Sequence, residues 1–528
     1  MSTTMAQWGN RIAIEHVNGV SYQLYTERPR RVESLLEFCD RWRERIHVVQ
    51  GEQAVTFGEL ATLIEAQAAQ LIQEGVKPGE HVLLLGWNSA QWIANFWACL
   101  KVGGVPVLGN GWWSQSELQG ALDLLKPALT LADAHGALKM PAGAKIGQWD
   151  SAPASVAKAP AQWPVSDDEN APAVVIFTSG TEGRPKAVVL SHRSLLAGLQ
   201  MLLHVTKRLP HQLEGVALDI GLHTGPLFHI GGVQTLLRAV TIGGTLVMPR
   251  NKFDPAEALE LIERFSVTRW SAVPTMVSRL LEHPDVHSRT LNSLRSLTVG
   301  GAPVHAELLT RVRGGLPGVE PRIATGYGLS ENGGQATAAS GAETAERPGS
   351  SGKPLPCVEI RFLQREGLPD GEILLRAPTQ MSGYYANSNS PIDAEGWLHT
   401  GDLGRLDDSG HLWITGRSKD VIIRGGENIA PVSVERALME IDGIAEVVVF
   451  GVPHSDLGEE VMAIVVDPQQ RSAEKLRELL KGKLASFSIP SRWQIGQEPL
   501  PTNHAGKVDK AALIKQVRSQ ESNAVVQA

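Results

Sequence analysis

Apolar residues recur along this chain at two spacings, and each spacing specifies a different element. Unbroken runs such as His81-Val82-Leu83-Leu84-Leu85 and Gly104-Val105-Pro106-Val107-Leu108 have the length of strands. After the first of them, Trp92, Ile93, Phe96 and Trp97 fall three and four apart, one face of a helix. Two helix starts are written in polar residues. Thr56-Phe57-Gly58-Glu59 and Ser114-Gln115-Ser116-Glu117 each place a hydroxyl at an N-cap and a carboxylate three residues on, so each predicts a capping box. The first opens a helix through Leu60 to about Leu71. Strand and helix alternate in this way over roughly the first 400 residues, which predicts α/β layers.

The texture changes after Thr415. Val434, Ala437, Leu438 and Ile441 lie at i, i+3, i+4 and i+7. Two strand-like runs follow, Ala445 to Gly451 and Glu460 to Asp467. Leu476, Leu479, Leu480 and Leu484 then make a second helical face. Helix, strand, strand, helix describes a small α+β unit. The expected division is a large multi-subdomain α/β domain over residues 1–416 and a small mobile α+β domain over residues 417–528. The Ala- and Pro-rich stretch from Ala152 to Val165 reads as an exposed connector. No repeat of solenoid length is present.

Composition narrows the class. Of 528 residues, 42% are hydrophobic and 20% charged, which excludes a disordered chain. Net charge is −7 with no basic block, so neither nucleic acid nor an anionic membrane has an electrostatic footprint to bind. Cys39, Cys99 and Cys357 are odd in number and far apart, arguing against a disulfide framework or a zinc site. Met1 to Glu15 lacks the apolar core of a signal peptide, and no apolar run reaches membrane-spanning length. A soluble, cytoplasmic protein is expected, without integral membrane association. A homodimer is left open.

The chemistry concentrates in five segments. Phe177-Thr178-Ser179-Gly180-Thr181-Glu182-Gly183-Arg184-Pro185-Lys186 puts glycines, hydroxyls and a lysine between two strand-like runs. Such a loop can wrap polyphosphate, because its backbone approaches closely, its N–H and O–H groups donate to phosphate oxygens, and the lysine adds a point charge. It is not a Walker A loop, since Pro185 precedes the lysine and a strand follows it. In Gly326-Tyr327-Gly328-Leu329-Ser330-Glu331, a ring between glycines can lie against a flat base, and Glu331 is a hard oxygen ligand for Mg²⁺. Asp402, in Gly396-Trp397-Leu398-His399-Thr400-Gly401-Asp402, can accept two hydrogen bonds from vicinal hydroxyls. Gly416-Arg417-Ser418-Lys419-Asp420, followed by Arg424-Gly425-Gly426, sits at the change of texture and suits a hinge. Lys507 follows Gly506 near the C-terminus. Taken singly, these segments also read as ordinary turns, a linker and a surface lysine.

In this order and together, the five segments resemble the adenylate-forming superfamily of acyl-CoA synthetases, peptide-synthetase adenylation domains and beetle luciferases, from about Arg43 to Lys510. The resemblance implies a large N-terminal domain, a small mobile C-terminal one, and two half-reactions. A carboxylic acid and ATP give acyl-AMP and pyrophosphate; a thiol then displaces AMP. It implies ATP, Mg²⁺ and coenzyme A. Thr178, Ser179, Gly180, Thr181, Gly183 and Lys186 match the phosphate loop. Gly300, Gly301, Ala302 and Pro303 match the segment lining adenine, with Tyr327 and Gly328 in the stacking motif. Ser330 matches a hydroxyl near the phosphates, where threonine is usual, and Glu331 the magnesium ligand. Asp402 and Arg417 match the ribose contacts, and Lys419 the hinge. Gly425 and Gly426 match the loop lining the pantetheine tunnel, and Lys507 the mobile lysine of adenylation. His229, in Pro226-Leu227-Phe228-His229, matches a side chain closing the acyl pocket.

A free-standing acyl-CoA ligase is the expected branch. The alternatives are an acyl-AMP ligase that loads a carrier protein and a non-catalytic nucleotide- or acyl-binding homologue. His229, Gly231, Gly232, Gly300, Gly333 and Gly334 are the expected acyl-pocket walls. So many glycines leave volume for an aryl, cyclic or medium-to-long-chain acid.

Overall fold

The structure is a computed structural model that describes residues 8–150, 167–178, 185–319, 322–364, 370–387, 389–503 and 506–526. Both predicted capping boxes form: Thr56 and Ser114 accept from the backbone N–H of Glu59 and Glu117, whose carboxylates reach back. The first opens the helix Phe57–Gln73 and the second the helix Gln115–Leu125. The stretch Ala152 to Val165 lies outside the described residues.

Two large sheets organise the N-terminal part. One has seven strands, in the order Gly383–Tyr384, Lys186–Ser191, Pro172–Thr178, Val105–Leu108, His81–Leu85, Leu129–Ala132, Ile146–Gly147. The other has nine: Lys353–Pro354, Gly334–Ser340, Ile323–Leu329, Ser296–Val299, Arg269–Ala272, Ile220–His223, Thr245–Met248, Ile46–Gln50, Gln53–Thr56. Both have parallel interiors; the nine-stranded sheet is antiparallel at both edges and the seven-stranded sheet at one.

The alternation of side chains along each strand stacks these sheets into layers. Val82 and Leu84 of the first sheet, and Val48 and Leu246 of the second, face one shared core. That core also holds Trp92, Phe96 and Trp97 with Leu199 and Leu237, so the helices Ala90–Lys101, His192–Val205 and Ile230–Ile242 lie between the sheets. Neighbouring positions point the other way. Leu83, Leu85 and Val175 pack under the helix Gln115–Leu125. Val49, Val247 and Trp270 pack under the helices Pro255–Arg264, Pro274–Glu282 and Ala306–Gly315. Strands covered on both faces read as unbroken apolar runs, which explains the pattern in the sequence. Each fully buried side chain of this kind contributes roughly 1.5–3 kcal/mol.

A four-stranded antiparallel sheet follows, Glu359–Leu363, Gly371–Arg376, Leu398–Leu406 and Leu412–Arg417. After the 3₁₀ turn Ser418–Asp420 comes a separate five-stranded sheet. Its longest strands, Glu446–His454 at the edge and Gly458–Val466 beside it, alternate cleanly. Val449, Val461, Ala463 and Val465 face one core, while Val448, Phe450, Met462, Ile464 and Val466 face another. The first core is closed by the helices Pro431–Met439 and Ala473–Leu480, both shorter than their apolar spacing predicts, since Ile441 and Leu484 fall past their ends. The second is closed by the helix Lys510–Val526, which the apolar spacing does not announce.

Candidate active site

In the nine-stranded sheet, Ile323–Leu329, Ser296–Val299, Arg269–Ala272 and Ile220–His223 are parallel neighbours. Their C-terminal ends therefore open on one edge, where α/β sheets bind ligands. That edge gathers Tyr327 to Glu331, Gly300 to Pro303, the start of the helix Pro274–Glu282, and the segment Thr224 to His229.

The Gly326–Glu331 segment ends a strand and enters a 3₁₀ turn at Ser330–Asn332, where a plain turn was the alternative from sequence. Tyr327 donates its hydroxyl to Asp402 Oδ2 at 2.6 Å. Asp402 is buried, and its Oδ1 accepts from Arg417 Nε at 2.9 Å across paired strands. The Asp402 N–H donates to Thr400 Oγ1 at 3.1 Å. Burial first, and then the Asp402 charge, hold the Tyr327 phenol well above its ordinary value, so it stays a donor.

Lys186 and Thr178 face each other across the hairpin made by Pro172–Thr178 and Lys186–Ser191. Ser179, Gly180, Thr181 and Gly183 lie outside the described residues. Lys186 Nζ stands 4.9 Å from the ring centroid of Tyr384, and the Tyr384 hydroxyl donates to Glu331 Oε1 at 3.0 Å. Lys186 and Glu331 are thus brought to one ring. Sequence reasoning missed Tyr384; its only signal is an aromatic pair after Gly383, with no charge to mark it.

Lys507 comes from the second core of the C-terminal sheet, where Val508 packs. Its turn is closed by Asn503, whose side chain accepts from the Lys507 N–H at 3.2 Å. The turn rests on the large domain: Thr275 donates its hydroxyl to the Gly506 carbonyl, and Gly506 lies against Met276 and Val273. Gly301 has φ +77°, and a Cβ added there would stand 3.4 Å from Lys507 Cε, so the missing side chain makes room for the lysine. Burial, then the Arg417 charge, hold the Lys507 ammonium below the ordinary lysine value. Ala302 and Pro303 continue the Gly301 loop, half-buried and exposed respectively.

Lys419 is exposed in the turn between the last two sheets. Gly425 and Gly426 form the tip of the hairpin Ile422–Arg424 and Glu427–Ile429, with φ +58° and +89°. They are not gathered with Lys507: their strands belong to the first C-terminal core, Val508 to the second.

His229 is the N-cap residue of the helix Ile230–Ile242. Its ring lies tilted against Phe228 with centroids 4.7 Å apart; Phe228 meets Trp112 at 5.6 Å, and Trp112 meets Trp87 at 4.5 Å. The expected acyl-wall glycines divide. Gly231 has open space and Gly300 nearly so. A Cβ on Gly334 would meet Ile230 and Gln234 at ordinary contact distance. Gly232 and Gly333 do not create volume: a Cβ on Gly232 would strike the backbone of Pro226 and Leu227 at 2.6 Å, and one on Gly333 the Thr379 carbonyl. Those two glycines permit close backbone packing instead.

Among the described residues, no group of three or more His, Cys, Asp or Glu forms a metal cage, and no helix is long and apolar enough to cross a membrane.

The AMP-binding enzyme family matches residues 35–385, and the AMP-binding enzyme C-terminal domain matches residues 433–507. The chain is 32% identical to a feruloyl-CoA synthase from Amycolatopsis sp over 484 residues, covering 88% of this chain and 94% of that one. It is 32% identical over 482 residues to the fatty acid–[acyl-carrier-protein] ligase ScoC from Streptomyces coeruleorubidus, covering 86% and 90%. Among solved structures it is similar to the o-succinylbenzoate CoA synthetase MenE from Bacillus subtilis. The complex with the acyl-adenylate intermediate OSB-AMP superposes with a TM-score of 0.77 at 30% identity, covering 91% of this chain and 97% of that one. The complex with ATP and magnesium ion gives 0.75 at 29%, covering 90% and 97%. This chain is a member of the AMP-binding enzyme family.

Proposed function

We propose that this protein is an ATP-dependent acyl-CoA ligase, acting in the cytoplasm on an aryl, cyclic or medium-to-long-chain carboxylic acid. The observation that carries the reading is three groups of contacts at and beside the C-terminal edge of the nine-stranded sheet. Lys186 and Glu331 meet at Tyr384, Tyr327 meets Asp402 and Arg417, and Lys507 lies over Gly301.

In the first half-reaction, a carboxylate oxygen attacks the α-phosphorus of ATP and pyrophosphate leaves. Nucleophile and triphosphate are both negative, so placed positive charge is what the site must supply. Lys186 serves the phosphates from the hairpin, and Lys507 the reacting groups from the opposite side. Asp402 accepts the ribose hydroxyls, with Arg417 beside it, and Tyr327 backs the base. Glu331 fits Mg²⁺, which takes one or two carboxylates plus phosphate oxygens and needs no protein cage. Bound there, Mg²⁺ neutralises phosphate charge. In the second half-reaction a thiol attacks the acyl carbonyl carbon and AMP leaves. We assign Gly425 and Gly426 to the path of the thiol arm, Lys419 to the hinge at the 416/417 boundary, and His229 to closing the acyl pocket.

The aromatic run Trp87, Trp112, Phe228 and His229 supports an aryl or otherwise bulky acid, as does the feruloyl-CoA synthase relative. The likeness to ScoC supports a second reading, in which the thiol belongs to a carrier protein. Buried free Cys39, Cys99 and Cys357 fit a reducing cytoplasm. The test is a panel of acids with ATP and Mg²⁺, offering CoA or a pantetheinylated carrier protein, with product masses read directly. Acyl-CoA is the expected product. Acyl carrier protein without acyl-CoA would select the second reading, and no pyrophosphate release with any acid would overturn both.

A further inference from the structure

We propose that Tyr384 is a positioning residue for Mg·ATP, a spacer that keeps Lys186 and Glu331 apart while holding each in place. The inference rests on the ATP reading above and goes beyond the residues assigned there.

Lys186 and Glu331 carry opposite charges and share one crevice. Left to themselves they would pair, and each would lose the charge it needs for phosphate or metal. Among the described residues neither is in an ion pair. The Tyr384 ring stands between their roles. Its face, 4.9 Å from Lys186 Nζ, gives the ammonium an electrostatic partner without cancelling its charge. Its hydroxyl donates to Glu331 Oε1 at 3.0 Å. One carboxylate oxygen is thereby engaged, which orients the other for a monodentate ligand role. Outer hydrogen bonds of this kind tune metal ligands by about 10- to 100-fold.

The backbone around Tyr384 gives the spacer a fixed frame. Gly383–Tyr384 pairs with Lys186–Ser191 in the register Val188 with Tyr384 and Val189 with Gly383. The Ser382 N–H donates to the Val189 carbonyl and the Tyr385 N–H to the Ala187 carbonyl, each at 2.8 Å. The Met381 N–H donates to the Glu331 carbonyl at 2.9 Å. One short segment therefore bonds the phosphate hairpin on one side and the Glu331 turn on the other.

Two variants separate the ring from the hydroxyl. Tyr384→Phe keeps the spacer and removes the donor; Tyr384→Leu removes both. ATP binding is measured by calorimetry, once with Mg²⁺ and once with EDTA, and thermal melting reports folding. In the wild type Mg²⁺ should tighten ATP binding. In Tyr384→Phe that tightening should shrink about tenfold, with binding in EDTA unchanged. In Tyr384→Leu binding in EDTA should weaken as well, because Lys186 can then pair with Glu331. A Tyr384→Phe protein that keeps the full Mg²⁺ increment would overturn the positioning role. ATP binding by the wild type that ignores Mg²⁺ would overturn the Glu331 assignment beneath it, and this proposal with it.

Discussion

Asparagine at position 402 removes one charge and little volume, so it isolates what the carboxylate does. Asp402 is buried, with Tyr327 on Oδ2 at 2.6 Å and Arg417 on Oδ1 at 2.9 Å. The two partners are unequal. The Arg417 side chain is 59% exposed, so solvent screens its ion pair to under about 1 kcal/mol. Tyr327 is half-buried, and its bond is short and charge-assisted, worth about 1.5–3 kcal/mol. Two ribose hydroxyls on the same carboxylate would add bonds of the same class. Asp402→Asn should therefore weaken ATP binding by about 10- to 100-fold, at 1.4 kcal/mol per tenfold. Tyr327→Phe should cost about tenfold, and Arg417→Ala less than that. Because Tyr327 acts through Asp402, the double variant should fall short of the sum by about 1–2 kcal/mol. Calorimetric titration of all four proteins with ATP and Mg²⁺ measures the cycle. Additivity within about 0.5 kcal/mol would show that Tyr327 and Asp402 act separately. An unchanged affinity in Asp402→Asn would remove the ribose contact altogether.

Lys507→Ala should abolish most pyrophosphate release yet spare CoA capture of a supplied acyl-adenylate; equal loss of both would refute a lysine dedicated to one half-reaction. The same lysine sets a pH limb. Burial and Arg417 lower its value, so adenylation should fall on the alkaline side earlier than for an ordinary lysine. Lys507→Arg, always charged, should move that fall upward, and a limb that stays in place belongs to another group. The sign for stability is opposite: between the lowered native value and the ordinary one the unfolded chain binds more protons, so stability rises with pH there. Gly426→Leu should block thioester formation and leave adenylation intact: a Cβ at that exposed tip meets nothing within 4 Å, and the strain of its φ of +89° stays within the hairpin, which thermal melting checks. Normal thioester formation in that variant would take the tunnel away from this loop.

Charge and glycine made most of the site visible in the sequence. Lys186, Glu331, Asp402, Arg417 and Lys507 each stand in a short glycine-marked segment, and such segments can be read without knowing what they touch. The layered fold was equally readable, since the unbroken runs at Val82 and Val105 reflect strands covered on both faces. What could not be read is what depends on pairing distant segments. Tyr384 meets Lys186 only because Gly383–Tyr384 joins the edge of a sheet begun some 300 residues earlier. No local pattern encodes that neighbour. Glycine is also ambiguous by itself: Gly231 and Gly232 are adjacent, yet one leaves open space and the other lets two backbones touch. The terminal helix Lys510–Val526 escaped notice because its first turns bury only Leu513 and Val517 against the sheet.

We expect the C-terminal unit to move as one body. Its sheet has a core on each face, built from residues of the unit itself. Among the described residues, the Lys507 turn meets the large domain through a hydroxyl bond from Thr275 to Gly506 and apolar contact with Met276 and Val273. A hydrogen bond of that kind contributes about 0.5–1.5 kcal/mol, and the contacts add a similar amount. Before chemistry, the triphosphate supplies a further attraction for the ammonium. Once pyrophosphate leaves, most of that negative charge leaves with it, while burial still disfavours the charged lysine. The balance then favours withdrawal. Because Val508 and the Gly425–Gly426 hairpin belong to cores on opposite faces of one sheet, we expect a rotation that removes the lysine to reorient the glycine tip. One motion, triggered by loss of charge, can thus exchange the group that adenylates for the loop that admits the thiol.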